Sequence, residues 1–261
     1  MKETLILEIP VFHPDYKKEG KYGVRNTRGK RLKEVLEKCS EGYCMYCYSR
    51  VRVDRKLFAH LEHAIEKTNS PKLVECIPNI GLACPACNQI FKKIGEKKRA
   101  LPKGIIQQFE EKCEREQSEK PCTEPCAALK NLQNEYHKMP ESEIILQPIG
   151  KSGDETGNAL TLQYDVLKLE FQPANHTYKY SEKEKEFIET HIRRFRLNDP
   201  EYRTRQLYEF IKAVIDNEGR LPQYEYNNLV VEEFYRQISD KTEEEILKIC
   251  ESIYCSIFLK I

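Results

Sequence analysis

The sequence predicts an α+β protein: a metal-stapled front part of short strands and helices, then a mostly helical region with a small β element. Three observations predict it. Two Cys-x-x-Cys pairs, Cys44–Cys47 and Cys84–Cys87, bracket a segment with strand-like composition. Apolar and polar residues alternate in Leu160–Tyr164 and Leu167–Phe171, the period of a half-buried strand. After residue 180 the pattern turns helical, with helix-start signals at Ser181 and Thr242. Charged residues make up 33% and hydrophobic ones 39%, with 15 Tyr and 10 Phe, so a core can form and disorder throughout is excluded. No apolar run approaches the roughly 18 residues of a membrane span, and no cleavable signal is read at the start. Secreted, membrane-spanning and collagen-like classes are therefore set aside, and a cytoplasmic location is expected. The eleven cysteines then read as thiols and metal ligands, not as a disulfide framework.

Element by element, Leu5 to Val11 is a short apolar stretch, followed by a Gly- and Lys-rich arm with Tyr16, Tyr22 and Arg25. Arg31 to Cys39 is a short helix. Strands are expected around Arg50–Val53 and Leu57–Glu62, and a helix begins near Pro85, where proline's missing N–H costs nothing. Residues 104–118 and 126–138 have helical periodicity and are interrupted at Lys120 to Pro125. Strands are expected at 143–148 and 159–171. Ser181 caps a helix running to about Leu197, Asn198-Asp199-Pro200 breaks it, and a further helix spans about Glu201 to Asn217. Thr242-Glu243-Glu244-Glu245 is a capping box for the last helix.

The formal charge of +1 hides two opposed halves. Residues 1–103 carry 22 Lys and Arg against 12 Asp and Glu, and residues 104–261 carry 21 against 30. The basic half suits a polyanion and the acidic half suits a protein partner, although charge runs also simply solvate helices. The expected division is a basic arm and helix at 1–40, a core at 41–103, and an acidic, mostly helical region at 104–261.

A Cys-x-x-Cys turn presents two thiolates at the bite of a tetrahedral ion. One pair could be a redox dithiol, whereas two favour a closed structural Zn²⁺ site at Cys44, Cys47, Cys84 and Cys87. The 36 residues between the pairs exceed a simple ribbon, so the chemistry is sought in that insert. It contains His60, Glu62, His63 and Asn79, and Asn88 follows the second pair. Glu62 and Asn88 are hard oxygen donors suited to Mg²⁺ or Mn²⁺. His63 can take a proton from water near neutral pH. Lys92, four residues beyond Asn88 on a helical face, is expected to point toward a phosphate, with Lys93 and His60 as further nucleic-acid contacts. Base, divalent ion and phosphate cradle are the parts of metal-assisted phosphodiester hydrolysis.

Cys-x-x-Cys, Glu-His and Asn-x-x-x-x-Cys-x-x-Cys-Asn over residues 44–93 resemble the zinc-stapled HNH endonuclease motif, a ββα-metal fold. The resemblance implies that His63 is the general base, that Glu62 and Asn88 bind the catalytic metal, and that Asn79 holds the loop carrying His63. The commoner motif has Asp where this chain has Glu62. A looser pattern resembles the HNH component of the Septu antiphage systems (PtuB-like), also seen with some retrons. It comprises His60 to Lys67, Ile145-Leu146-Gln147-Pro148, the strands near 160–171, and Thr190 to Asn198 with Arg203. That resemblance implies a cognate ATPase partner, for which the acidic half is the expected docking surface.

The expected activity is endonucleolytic cleavage of DNA. RNA, such as a transfer RNA, is an alternative substrate, and a non-catalytic zinc module binding nucleic acid is a rival of another class. Gly150-Lys151-Ser152 is no phosphate loop, because Ile145 stands where its first glycine belongs. Cys113, Cys122 and Cys126, with His137 as a possible fourth ligand, leave a second metal site open.

Overall fold

Short strands and helices share the front of the chain, and helices dominate its end, as a computed structural model shows. The structure describes residues 5–17, 21–113, 122–223 and 226–257, and the side chains of 200–204 lie outside that description. Arg203 and the 114–118 end of the expected helix are therefore outside the described residues. No helix among the described residues is long and apolar enough to cross a membrane. The chain divides into two units, 11–47 with 51–151, and 1–10 with 48–50 and 152–261. This division differs from the one expected from composition: residues 104–151 belong with the cysteine pairs.

The cysteine unit begins with α1 (Asn26–Cys39), which buries Leu32 and Leu36, one turn apart, at 0% exposure. Two very short strands follow, β2 (Arg52–Val53) and β3 (Lys56–Leu57). They are joined through Asp54 and Arg55, both at positive φ, in the manner of a tight hairpin. β4 (His60–His63) pairs antiparallel with β5 (Ile80–Ala83) in the register His60↔Ala83, Glu62↔Gly81, His63↔Ile80. β5 is buried throughout, and Gly81 is required there: a Cβ would meet the Gln147 carbonyl oxygen at 2.8 Å. That backbone belongs to the 143–148 segment, which forms no strand. Ile144, Ile145 and Leu146 are all buried, and a short continuous apolar run signals burial without specifying a strand. The helix expected near Pro85 widens into a π-turn over Cys87–Phe91, closed by Lys92 N–H to the Cys87 carbonyl at 3.0 Å. α2 (Lys103–Lys112) and α3 (Ala127–Tyr136) pack together and complete the unit.

The helical unit is built on an antiparallel sheet in the order β1 (Ile6–Glu8), β6 (Leu162–Asp165), β7 (Glu170–Pro173). Tyr164 and Phe171, paired across β6 and β7, meet edge-on at 5.0 Å. α4 (Glu182–Arg194) packs on β7, and Ser181 caps it as its sequence predicts, completing a capping box with Glu184. α5 (Pro200–Asp216) packs against α6 (Leu229–Ile238) and α7 (Glu243–Ile257). α6 is not among the predicted helices. Val230-Val231 in its first turn lower helix propensity, and burial of Leu229, Val230, Val231, Phe234 and Ile238 overrides it. Asn228 caps it through its side chain, which accepts from Val230 N–H at 2.9 Å.

His191 of α4 is 1% exposed, and burial, aided by Arg194, lowers its pKa to about 3. The unfolded chain takes up this proton near pH 6.5 and the folded chain does not, so its contribution is complete above 6.5 and is lost as pH falls toward 3. The loss approaches ~5 kcal/mol at 1.36 kcal/mol per unit. Urea unfolding at pH 7 and pH 4 should therefore show a smaller pH dependence in His191→Gln than in the wild type. Equal slopes would contradict the buried neutral imidazole.

Candidate metal centre and cleft

Cys44 and Cys47 lie in the turns after α1, and Cys84 and Cys87 follow β5 directly. Their four sulfurs lie within 4.8 Å of one another, with Cys47 Sγ and Cys84 Sγ 3.7 Å apart. Backbone N–H groups already face sulfur: Cys84 N–H donates to Cys44 Sγ at 3.2 Å and Cys87 N–H to Cys84 Sγ at 3.4 Å. Burial pushes the Cys44 thiol up, so ionised sulfurs this close need a cation between them. Four soft donors around one point fit a structural metal such as Zn²⁺, which would tie the end of α1 to the end of β5.

Beside this centre lies a cleft of about 290 Å³ whose lining includes Glu62, His63, Glu66, Asn88, Lys92 and Lys93. His63 closes β4 and is partly buried, with Nε2 3.0 Å from the Val74 carbonyl. A carbonyl can only accept, so Nε2 carries the proton and Nδ1 keeps its lone pair. Burial lowers the His63 pKa, which leaves the imidazole neutral at pH 7. The chain leaving His63 is clamped by Asn79, which is fully buried. Its Oδ1 accepts from Ile65 N–H at 2.8 Å, its Nδ2 donates to Ile65 O at 2.9 Å, and its own carbonyl accepts from Ala64 N–H at 2.7 Å. Asn88 Nδ2 lies 3.2 Å from His60 Nδ1, which draws those two side chains together. Lys93 is exposed and donates to Glu96 at 2.6 Å.

Lys92 is not a surface phosphate contact. It is 4% exposed, and its ammonium donates to Glu62 Oε1 at 2.5 Å, His63 O at 2.6 Å and Ala64 O at 2.7 Å, which uses all three of its protons. The expectation assumed α-helical phasing from Asn88. The π-turn has more residues per turn, so the fourth residue no longer lies over the first, and Lys92 turns inward.

Glu62 is equally enclosed. It is 4% exposed, its Oε2 accepts from Tyr46 Oη at 2.7 Å, and its Oε1 is held by Lys92. The pair Glu62 and Asn88 therefore does not fit a catalytic Mg²⁺ or Mn²⁺ ion as it stands, because a lysine ammonium already neutralises the one carboxylate. The enclosure extends further. Glu66 Oε1 accepts from Arg99 Nη2 at 2.9 Å, Arg99 Nε at 3.1 Å and Tyr136 Oη at 3.0 Å, and Lys92 stands 3.7 Å away. Burial works against the Glu66 carboxylate, but Lys92 and Arg99 outweigh it and hold its pKa below the ordinary value. Two carboxylates and two cations thus balance beneath the cleft. Arg99 and Tyr136 carry no local spacing signal, whereas Tyr46 lies inside a Cys-x-x-Cys turn and Glu66 within the His60 to Lys67 stretch.

Lys92→Met should cost about 3–5 kcal/mol, the usual penalty for stranding a buried charge, here Glu62. Adding Glu62→Gln should recover part of that loss. Urea denaturation of the three proteins checks this, and a Lys92→Met protein as stable as the wild type would contradict the buried pair.

No family model, curated protein or solved structure matches the chain.

Proposed function

We propose that this chain is an HNH-type endonuclease that hydrolyses phosphodiester bonds, with DNA as its first substrate class. The observation that carries the reading is His63. Its imidazole is held neutral at the edge of a cleft, with the proton on Nε2 directed to Val74 O and the lone pair on Nδ1, and Asn79 fixes the chain behind it. A base so placed removes the proton of a water attacking phosphorus. Exposed Lys67 and Lys93, both on the cleft, would meet the substrate backbone. The zinc staple supports the cleft and takes no part in the chemistry.

One observation favours a second reading. With Lys92 on Glu62, the site offers no open pair of hard ligands, as expected of a zinc module that binds nucleic acid without cutting it. Purified protein on plasmid DNA and on total RNA, with Mg²⁺, Mn²⁺ or EDTA, separates the readings. Metal-dependent nicking supports the nuclease and the substrate it cuts. Salt-sensitive binding with no cleavage in any condition supports the module. The resemblance to Septu components extends the proposal to an antiviral complex with an ATPase docked on the acidic region. Retention of that ATPase by a chain lacking residues 180–261 would argue against the docking surface.

A further inference from the structure

Cys113, Cys122 and Cys126 have irregular spacing, and the fold removes their expected companion, His137. Cys126 is the N-cap of α3 and His137 its C-cap, so the ten-residue helix stands between them, about 15 Å at 1.5 Å per residue. His137 Nε2 lies 3.1 Å from Ile144 O instead.

The fold supplies a different fourth cysteine. Arg99, just ahead of α2, and Tyr136, at the end of α3, both donate to Glu66 Oε1, so those two helix ends meet at one point. Both helices have ten residues and they pack together, so their opposite ends also come to one place. That end carries Cys113 as the C-cap of α2 and Cys126 as the N-cap of α3, with Cys122 four residues before it. The β4–β5 loop reaches the same end: Lys72 Nζ donates to the Glu110 carbonyl at 2.6 Å and the Cys113 carbonyl at 3.3 Å. Four residues on, Cys76 is buried at 4% exposure. Cys113, Cys122 and Cys126 lie close enough to Cys76 to act on it electrostatically.

We propose that Cys76, Cys113, Cys122 and Cys126 form a second Zn²⁺ site that closes the α2–α3 hairpin onto the β4–β5 loop. Among the described residues only the first quartet has its sulfurs within 4.8 Å of one another. The second set is more open, and Cys122 Sγ lies 3.6 Å from the Glu124 carbonyl. Zn–S bonds of about 2.3 Å would draw these sulfurs together and release their protons. The site has a consequence for the cleft. Cys76 O accepts from Asn79 N–H at 2.9 Å, and the loop it anchors carries both Val74, which holds His63, and Asn79, which clamps the chain after it.

The test is the zinc content of the full chain purified under reducing conditions, read by elemental analysis and native mass spectrometry. Two zinc ions per chain are expected in the wild type, one in Cys122→Ser and in Cys126→Ser, and two in His137→Ala. One zinc in the wild type overturns the site. So does a second zinc retained by the double serine variant, or a mass two hydrogens lower with a disulfide among these four cysteines. If the serine variants do not fold, ¹¹³Cd exchange into the wild type decides: two thiolate-ligated resonances support the site and one overturns it.

Discussion

Cys84→Ser should release zinc from the first quartet and unfold the cysteine unit. Cys84 is one of four sulfurs within 4.8 Å, and three cysteines with one serine form a much poorer soft-metal site. Structural Zn²⁺ supplies on the order of 10 kcal/mol of folding free energy in small domains. That is comparable with the whole ~5–15 kcal/mol by which a domain is stable. The quartet joins the end of α1 to the end of β5, and the β4–β5 register places His63 and Glu62. Metal loss should therefore disorganise the cleft as well. Metal content and thermal unfolding by circular dichroism check it, and a Cys84→Ser protein with unchanged zinc and an unchanged Tm would refute the structural role.

His63→Ala should behave oppositely, leaving fold and zinc content intact while lowering cleavage by roughly 10²–10⁴, the usual contribution of a general base. His63 is only partly buried, and its one described hydrogen bond is to the Val74 carbonyl, so little packing is lost on truncation. Asn79→Ala should also impair cleavage, but through the clamp on Ile65. The discriminating measurement is nicking rate at constant zinc content. Full activity in His63→Ala would end the assignment of His63 as base, whatever the substrate proves to be.

The two experiments separate what was legible in the sequence from what was not. Cys44, Cys47, Cys84 and Cys87 were legible because a Cys-x-x-Cys turn is local: the spacing itself sets the bite of the ligands. The helix cap at Ser181 and the capping box at Thr242 are local in the same way, and both form. Lys92 turns inward against α-helical phasing, and nothing in the sequence of Cys87–Phe91 announces a π-turn. The β-branched start of α6 opposes a helix, and only burial against its neighbours reverses that.

By itself the sequence determined the four clustered cysteines, a strand running up to Glu62, and the charge difference between the halves, all set by residue type and short-range spacing. Only the tertiary structure decided where the charges under the cleft go. Glu62 and Glu66 come from one stretch of the chain and Lys92 and Arg99 from another about thirty residues on, and they meet because a buried carboxylate far from water must find a cation. The proposed second site is of the same kind: two helix ends and a loop, not a spacing rule, would bring Cys76 to its partners.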